Sequence, residues 1–112
     1  MEIAPQIKAY FEAKDGNINA IDCYFADDIE IEDTGENDII QGFDNCRKWH
    51  KEKSRQYEMK TKIAGITAGD KGTVKVSVLV SGNFAVGDYP FDYYFTIIGE
   101  KIKTLKIMYT GK

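Results

Sequence analysis

The stretch Phe25-Ala26-Asp27-Asp28-Ile29-Glu30-Ile31-Glu32-Asp33 decides how this chain is interpreted. Its first residues complete a predicted amphipathic helix, and two acids then form a turn. From Ile29 onward apolar and acidic residues alternate, which is the period of a half-buried β-strand. Such a strand is able to carry the carboxylate of Asp33 into an apolar interior. A buried carboxylate often serves as a general acid or base.

The composition is that of a globular protein with one core. Of 112 residues, 43% are hydrophobic and 29% charged, so we expect a single domain over residues 1–112. A net charge of −3 disfavours nucleic acid as a partner. The apolar runs are too short to span a membrane, and the first residues lack a signal-peptide pattern. We therefore expect a cytoplasmic protein without membrane partners.

The two cysteines, Cys23 and Cys46, are each predicted to lie on a helix. They have no CxxC spacing, and only His50 could join them in a metal site. Free, buried thiols are therefore expected in place of a disulfide, and no metal site is predicted.

The first third of the chain is predicted to be helical. The first helix carries an apolar stripe with i, i+4, i+7, i+8 spacing: Ile3, Ile7, Tyr10 and Phe11. The sequence Asp15-Gly16-Asn17 breaks it, and a short second helix runs from Ile18 to Phe25. A third helix follows Gly42, and its inner face is expected to hold Phe43, Cys46 and Trp49. His50 lies either beside them or on the helix surface.

From Met59 the hydrophobic period changes to two, which predicts strands. They cover Met59–Ile66, Val74–Ser81, Phe91–Ile98 and a last stretch ending at Tyr109. The alternation breaks around Lys103 and Thr104, which predicts a β-bulge that curves the sheet. Both faces of the strand Phe91–Ile98 are apolar or aromatic. We expect one face to meet the helices and the other to meet a second subunit in a homodimer.

The order of these pieces resembles the NTF2-like superfamily, and within it the SnoaL-like and ketosteroid-isomerase-like branch. The pieces are Tyr10-Phe11-Glu12-Ala13, the Gly16-Asn17 break, Phe25-Ala26-Asp27-Asp28, Glu32-Asp33, Gly42 before the helix containing Trp49, and Pro90-Phe91-Asp92-Tyr93-Tyr94-Phe95 followed by Gly99-Glu100-Lys101-Ile102. The resemblance implies an α+β, cystatin-like cone. In it, three N-terminal helices pack on a curved antiparallel β-sheet that encloses an apolar pocket. It also implies dimers formed through the back of the sheet. A cystatin-like fold outside this superfamily is the structural alternative, and three helices before the main strands argue against it.

The resemblance also implies three catalytic residues in the pocket. Asp33, at the end of its strand, corresponds to the general base of the isomerases, and Asp92, two residues after Pro90, corresponds to their protonated acid. Tyr10 corresponds to their oxyanion tyrosine if the turn after the first helix is one residue shorter than in the family; otherwise Ala9 takes that position.

Other features bear on the pocket less directly. Thr34 follows Asp33 where the family usually has proline. The residues expected to contact a ligand are Trp49, Tyr94 and Phe25. Each catalytic candidate also has an ordinary structural explanation: Asp33 as a solvated turn acid, Asp92 as half of an ion pair at a strand end, and Tyr10 as a core residue.

Two functions follow from this sequence. The first is binding of a small, mostly apolar molecule with cofactor-free proton transfer, as in a ketosteroid-isomerase-like isomerase or a polyketide-cyclase-like enzyme. The second is a non-catalytic binding or dimerisation module that uses the fold as a scaffold. The two differ in whether Asp33, Asp92 and Tyr10 approach one cavity.

Overall fold

A computed structural model of the protein describes residues 4–15, 21–22, 24–56, 59–69, 72–82 and 85–111. In chain order its elements are α1 (Pro5–Lys14), β1 (Phe25–Asp33), β2 (Asp38–Gln41), α2 (Phe43–Gln56), β3 (Met59–Ala68), β4 (Thr73–Gly82), β5 (Ala85–Ile98) and β6 (Lys101–Tyr109). The strands form one six-stranded sheet in the order β2-β1-β6-β5-β4-β3. The predicted α+β class is confirmed.

The described residues contain two α-helices, so the prediction of three is wrong. The stretch Phe25–Asp33 is extended throughout and forms β1, so Phe25 begins a strand and does not end a helix. Before it, the N–H of Tyr24 donates to the carbonyl of Ile21 across a turn. The chain is already extended at Phe25, which pairs with Ile102 of β6, and the pairing resumes from Glu30 to Asp33 after a register shift. Residues 16–20 and Cys23, where the rest of this prediction falls, lie outside the described residues.

The two helices bury the faces that the sequence predicted. Helix α1 has its proline in the first turn and buries Ile7, Tyr10 and Phe11. Helix α2 buries Cys46 and His50 completely and packs Trp49 partly against the same core. None of the helices that the structure describes is long and apolar enough to cross a membrane.

The sheet is antiparallel except where β1 and β6 run parallel. The resemblance implied an antiparallel sheet, and no strand was predicted over the residues of β2. The parallel pair arises because the last strand enters the sheet between β1 and β5. It brings the end of β1 next to Ile107 of β6.

The predicted bulge in the last strand is present. Thr96 pairs with Thr104 while Ile97 pairs with Ile102, which leaves Lys103 as the extra residue of β6. A second irregularity separates Ile63 from Gly65 in β3. Bulges bend and twist the strands that carry them. The curved sheet holds the helices and the core on its inner face and leaves a cavity beside them.

Candidate functional site

A cavity of about 430 Å³ lies between the two helices and the inner face of the sheet. Its size is within the range of small-molecule sites in proteins. The wall is mostly apolar and aromatic, and these residues include Trp49, Val80, Phe91, Tyr93, Ile107 and Tyr109. Against this wall the polar groups are few, so each of them bears on what the cavity could bind.

Asp33 is at the end of β1, opposite Ile107 of β6, and its half-buried side chain lines the cavity. Burial, and then the negative charge of Glu36, raise the pKa of the Asp33 carboxyl. Backbone hydrogen bonds at Glu36 and Gly35, together with the charge of Lys53, oppose this rise without cancelling it. The carboxylate is therefore a stronger base than an ordinary surface aspartate.

Thr34 fixes the backbone immediately after Asp33. Its N–H donates to the carbonyl oxygen of Ile107 at 3.1 Å, and its hydroxyl donates to the same oxygen at 2.7 Å. These two bonds join the turn to β6. The chain is therefore held at Thr34, where the resemblance would lead one to expect a proline. The position of Asp33 is thereby tied to the sheet.

Two buried tyrosines, Tyr10 of α1 and Tyr93 of β5, line the same cavity. Their ring centroids are 5.9 Å apart. Burial raises the pKa of both phenols, and the negative charge of Asp33 raises both further. Both hydroxyls therefore stay protonated at neutral pH and are able to donate hydrogen bonds. Ala9, the alternative to Tyr10 in the sequence analysis, does not line the cavity.

His50 of α2 is in the cavity wall and is only 2% exposed. Its ring stacks on Tyr10 with centroids 4.8 Å apart. Burial, and then the positive charge of Lys14, lower the pKa of His50 to about 4, against a smaller opposing effect of a hydrogen bond to the backbone of Tyr10. The imidazole is therefore neutral at physiological pH. It is a core-facing polar group and not a surface histidine.

Lys14, at the end of α1, also lines the cavity and is 5% exposed. Its ammonium group donates to the hydroxyl of Thr61 at 3.2 Å. Burial lowers the pKa of Lys14 to about 8, while the neighbouring Asp15 opposes the shift. Lys14 therefore adds a buried cation near neutral pH to a wall that is otherwise largely apolar.

An ion pair joins α2 to the turn after β1 at the edge of the cavity. The ammonium of Lys53 lies 2.7 Å from a carboxylate oxygen of Glu36, and both residues line the cavity. Both are partly exposed, so the pair contributes little to stability. Its consequence is local, since it holds the turn that follows Asp33 close to α2.

Asp92 lies on the opposite face of β5 and does not line this cavity. It is opposite Ser77 of β4, whose hydroxyl donates to the Asp92 carboxylate at 2.7 Å. Adjacent residues of a strand point to opposite faces, so Asp92 and Tyr94 face away from the side that Tyr93 occupies. The predicted placement of Asp92 and Tyr94 in the pocket is therefore corrected.

The remaining predicted ligand contacts are divided. Trp49 lines the cavity. Phe25 is 2% exposed and packs inside the core, with its ring centroid 6.3 Å from that of Phe43. Among the described residues no group of three or more His, Cys, Asp or Glu side chains is arranged to hold a metal ion.

Three buried residues of the cavity that carry polar groups were missed as site residues, although the sequence contained a signal for each. Lys14 continues the apolar stripe of α1 four residues after Tyr10, and His50 follows Cys46 at the same spacing on α2. Tyr93 lies between Phe91 and Phe95 in the row of residues on the inner face of β5. A polar group at a core-facing position is the feature that points to such a site.

Sequence comparisons place the chain in no described family: no family model matches it, and no curated protein matches it. Comparison of structures gives clear matches. A candidate polyketide cyclase from Sinorhizobium meliloti has 25% identity and a TM-score of 0.83, with 95% of each chain covered.

Two further structures are similar over most of their length. A protein from Catenulispora acidiphila with a ketosteroid-isomerase-like fold, solved with trimethylamine, has 18% identity and a TM-score of 0.84 over 96% of this chain and 87% of that one. An LEH-like epoxide hydrolase of M. tuberculosis has 16% identity and a TM-score of 0.80 over 95% and 80%. The chain therefore has the NTF2-like fold, in the form shared by the SnoaL-like and ketosteroid-isomerase-like branch of that superfamily.

Proposed function

We propose that the cavity binds a small, mostly apolar molecule and that Asp33 removes a proton from it without a cofactor. One observation carries this proposal. The half-buried Asp33, with its raised pKa, faces a cavity that also contains two buried phenols kept in their protonated form. A base and two neutral hydrogen-bond donors in an apolar site are the groups that enolisation needs.

In the proposed step the Asp33 carboxylate takes a proton from a carbon next to a carbonyl group. The electrons of the broken C–H bond form the enolate, and the negative charge develops on the carbonyl oxygen. Tyr10 and Tyr93 are the donors available to stabilise that oxygen. Return of the proton to a different carbon gives an isomer, whereas attack of the enolate carbon on a second carbonyl closes a ring.

This proposal differs from the sequence-based mechanism in one residue. The neutral acid was expected to be Asp92, whose carboxylate is bonded to Ser77 on the outer face of the sheet. Tyr93, the next residue, occupies the inner face. A buried phenol supplies the same hydrogen bond as a protonated acid, so we assign the second donor to Tyr93.

The structural neighbours support this class of function without deciding it. Their names include a candidate polyketide cyclase and an epoxide hydrolase, activities assigned to those proteins. One fold hosts many chemistries, so the proposed function depends on the residues in this cavity.

The test is Kemp elimination of nitrobenzisoxazole, in which a base removes a ring proton, the N–O bond breaks, and a coloured cyanophenolate is released. We expect turnover above the buffer rate, because a carboxylate in an apolar site is an effective base. Asp33→Asn should lower kcat/KM by roughly 100-fold. Asp92→Asn is the matched control and should retain the activity.

Equal activity of wild type and Asp33→Asn would contradict the assignment of the base. If the wild-type protein binds the compound and does not turn it over, the result favours the non-catalytic binding module.

We also propose that the outer face of the sheet pairs with a second copy of the chain. This face carries apolar side chains on three adjacent strands, namely Leu79 on β4, Tyr94 on β5 and Met108 on β6. Met108 pairs with Asp92 in the row of the Ser77–Asp92 hydrogen bond, and Leu79 and Tyr94 lie in the rows on either side of it, Tyr94 between Lys75 and Lys106. Apolar side chains on neighbouring strands with a polar surround suit an interface between identical subunits.

A further inference from the structure

Two buried nitrogen atoms in the wall of the cavity lack a hydrogen-bond partner among the described residues. They are Nε1 of Trp49 and Nε2 of His50, and both residues line the cavity. Buried polar groups in native proteins are nearly always hydrogen-bonded, because an unsatisfied one loses its water without compensation. Two such atoms on adjacent residues of one wall therefore indicate that something else bonds to them.

The chemistry of the missing partner follows from these two atoms. The hydrogen bond between the His50 ring and the backbone of Tyr10 favours the protonated imidazole, so the ring is the donor in that bond. The donating nitrogen is Nδ1, because Nε2 has no partner. The neutral ring therefore presents the lone pair of Nε2 as an acceptor, whereas the indole nitrogen of Trp49 is only a donor.

We propose that the cavity selects a hydroxylated ring compound whose O–H donates to Nε2 of His50 and whose oxygen substituents accept from Nε1 of Trp49. The two rings stack with centroids 6.2 Å apart, so a single ligand is able to reach both. The partner class is thus a compound with a donating hydroxyl group on an otherwise apolar body, and a phenol represents it in the test below. This inference rests on the proposed function, since it names the ligand of the same cavity.

The position of His50 relative to Asp33 separates two roles. Asp33 lies at the end of β1 and half in solvent, whereas His50 lies on α2 and is almost completely buried. In this assignment His50 is a binding residue that orients the ligand, and Asp33 is the residue that moves the proton. The ligand hydroxyl bonded to His50 is then a recognition group and not the reacting carbon.

A matched pair of probes tests this inference: β-naphthol and its methyl ether. Both have the same apolar body and an oxygen that accepts a hydrogen bond, but only β-naphthol donates one. We expect wild-type protein to bind β-naphthol about threefold to tenfold more tightly, which is the range of one net hydrogen bond. The preference should vanish in His50→Phe and persist in Asp33→Asn.

A second readout uses the wild-type protein alone, so it does not depend on a folded variant. His50 is the single histidine of the chain, so its ring nitrogens are unambiguous in nitrogen NMR. The Nε2 resonance should move on addition of β-naphthol and much less with the methyl ether.

The outcomes are distinguishable from those of the proton-transfer test. Equal binding of the two probes with an unmoved Nε2 resonance overturns this inference and leaves the role of Asp33 intact. If Asp33→Asn loses the preference for β-naphthol and His50→Phe keeps it, the ligand hydroxyl binds to Asp33 and not to His50. That result also overturns this inference. If neither probe binds, the proposed cavity function fails and this inference fails with it.

Discussion

At the scale of single residues, His50 shows how the surroundings set the chemistry of a side chain. In sequence it stands in a basic helix segment, between Lys48 and Lys51. In the fold it is buried on the inner face of α2 against Tyr10, and its pKa is lowered to about 4. The helical spacing left His50 either beside the core or on the helix surface. Only tertiary packing determines that it is buried and that its Nε2 has no hydrogen-bond partner among the described residues.

This lowered pKa predicts an acid-dependent loss of stability. Folded His50 titrates near pH 4, and an unfolded histidine near 6.5, so the unfolded chain binds more protons between these values. The free energy of unfolding should therefore fall as the pH decreases through that window, by up to about 3 kcal/mol from this residue. Urea denaturation at several pH values measures it.

The control for this prediction is His50→Gln, which keeps a neutral polar side chain and cannot take up a proton. The variant should lose less stability than wild type between pH 6.5 and 4. NMR titration of the wild-type imidazole gives an independent check. An imidazole that titrates at the ordinary value of about 6.5 would refute the prediction.

Asp92 shows the limit of inference from resemblance. The alternation of β5 already placed Phe91, Tyr93 and Phe95 on one face and Asp92 on the other. Nothing in the sequence stated which face was inner, because both are rich in aromatic residues. The resemblance favoured the face that carries Asp92 as the inner one. The pairing of Asp92 with Ser77 of β4 shows that this face is the outer one.

At the scale of elements, the period of two located the long strands but did not always find their ends. Strand β4 was predicted to within one residue at each end, whereas β5 begins at Ala85, before the predicted start at Phe91. Short or ambiguous segments were not predicted. Strand β4 and the bulge at Lys103 were both visible in the alternation. Strand β2 has four residues and exists because it pairs with β1, which no local pattern encodes. Phe25 fitted a helical spacing as well as a strand, and pairing with β6 decided between them.

The turn between β3 and β4 gives a prediction at this scale. Gly72 has a φ of +79°, and a Cβ there would lie 2.5 Å from the carbonyl oxygen of Ile97. Gly72→Ala should therefore lower the free energy of unfolding by about 1–3 kcal/mol, from backbone strain and the close approach to β5. Thermal or urea unfolding monitored by circular dichroism measures the change.

Gly65 is the matched control, because it lies in β3 and a Cβ there would meet nothing within 4 Å. Gly65→Ala should change the free energy of unfolding by less than about 0.5 kcal/mol. If the two variants were equally stable, the conformation of the Gly72 turn would not be what restricts that position.

At the scale of the whole molecule, the fold positions the chemistry without specifying it. The parallel entry of β6 beside β1 brings Ile107 next to Asp33, and the inner face of β5 carries Tyr93 into the wall of the same cavity. The resemblance was sufficient to predict the cone and the place of Asp33. It could not predict the polar set of Lys14, His50 and Tyr93, because those residues belong to this chain's own core.

The proposed dimer is tested by sedimentation at a range of concentrations. Wild-type protein should sediment as a dimer, and Leu79→Asp should shift it to monomer, because it places a charge in the apolar outer face. Ile39→Asp is the control: Ile39 is 61% exposed on β2, at the far edge of the sheet, and its replacement should leave the dimer intact. A wild-type monomer at all concentrations would exclude this interface.

The role of Asp33 as the base is tested by the pH dependence of kcat/KM for nitrobenzisoxazole. Because only ionised Asp33 accepts a proton, the rate should rise with pH and reach a plateau. Its midpoint should lie above the ordinary aspartate pKa of about 3.9, since burial and Glu36 raise the pKa of this carboxyl. The rise should disappear in Asp33→Asn. A wild-type profile that the variant reproduces would contradict the account.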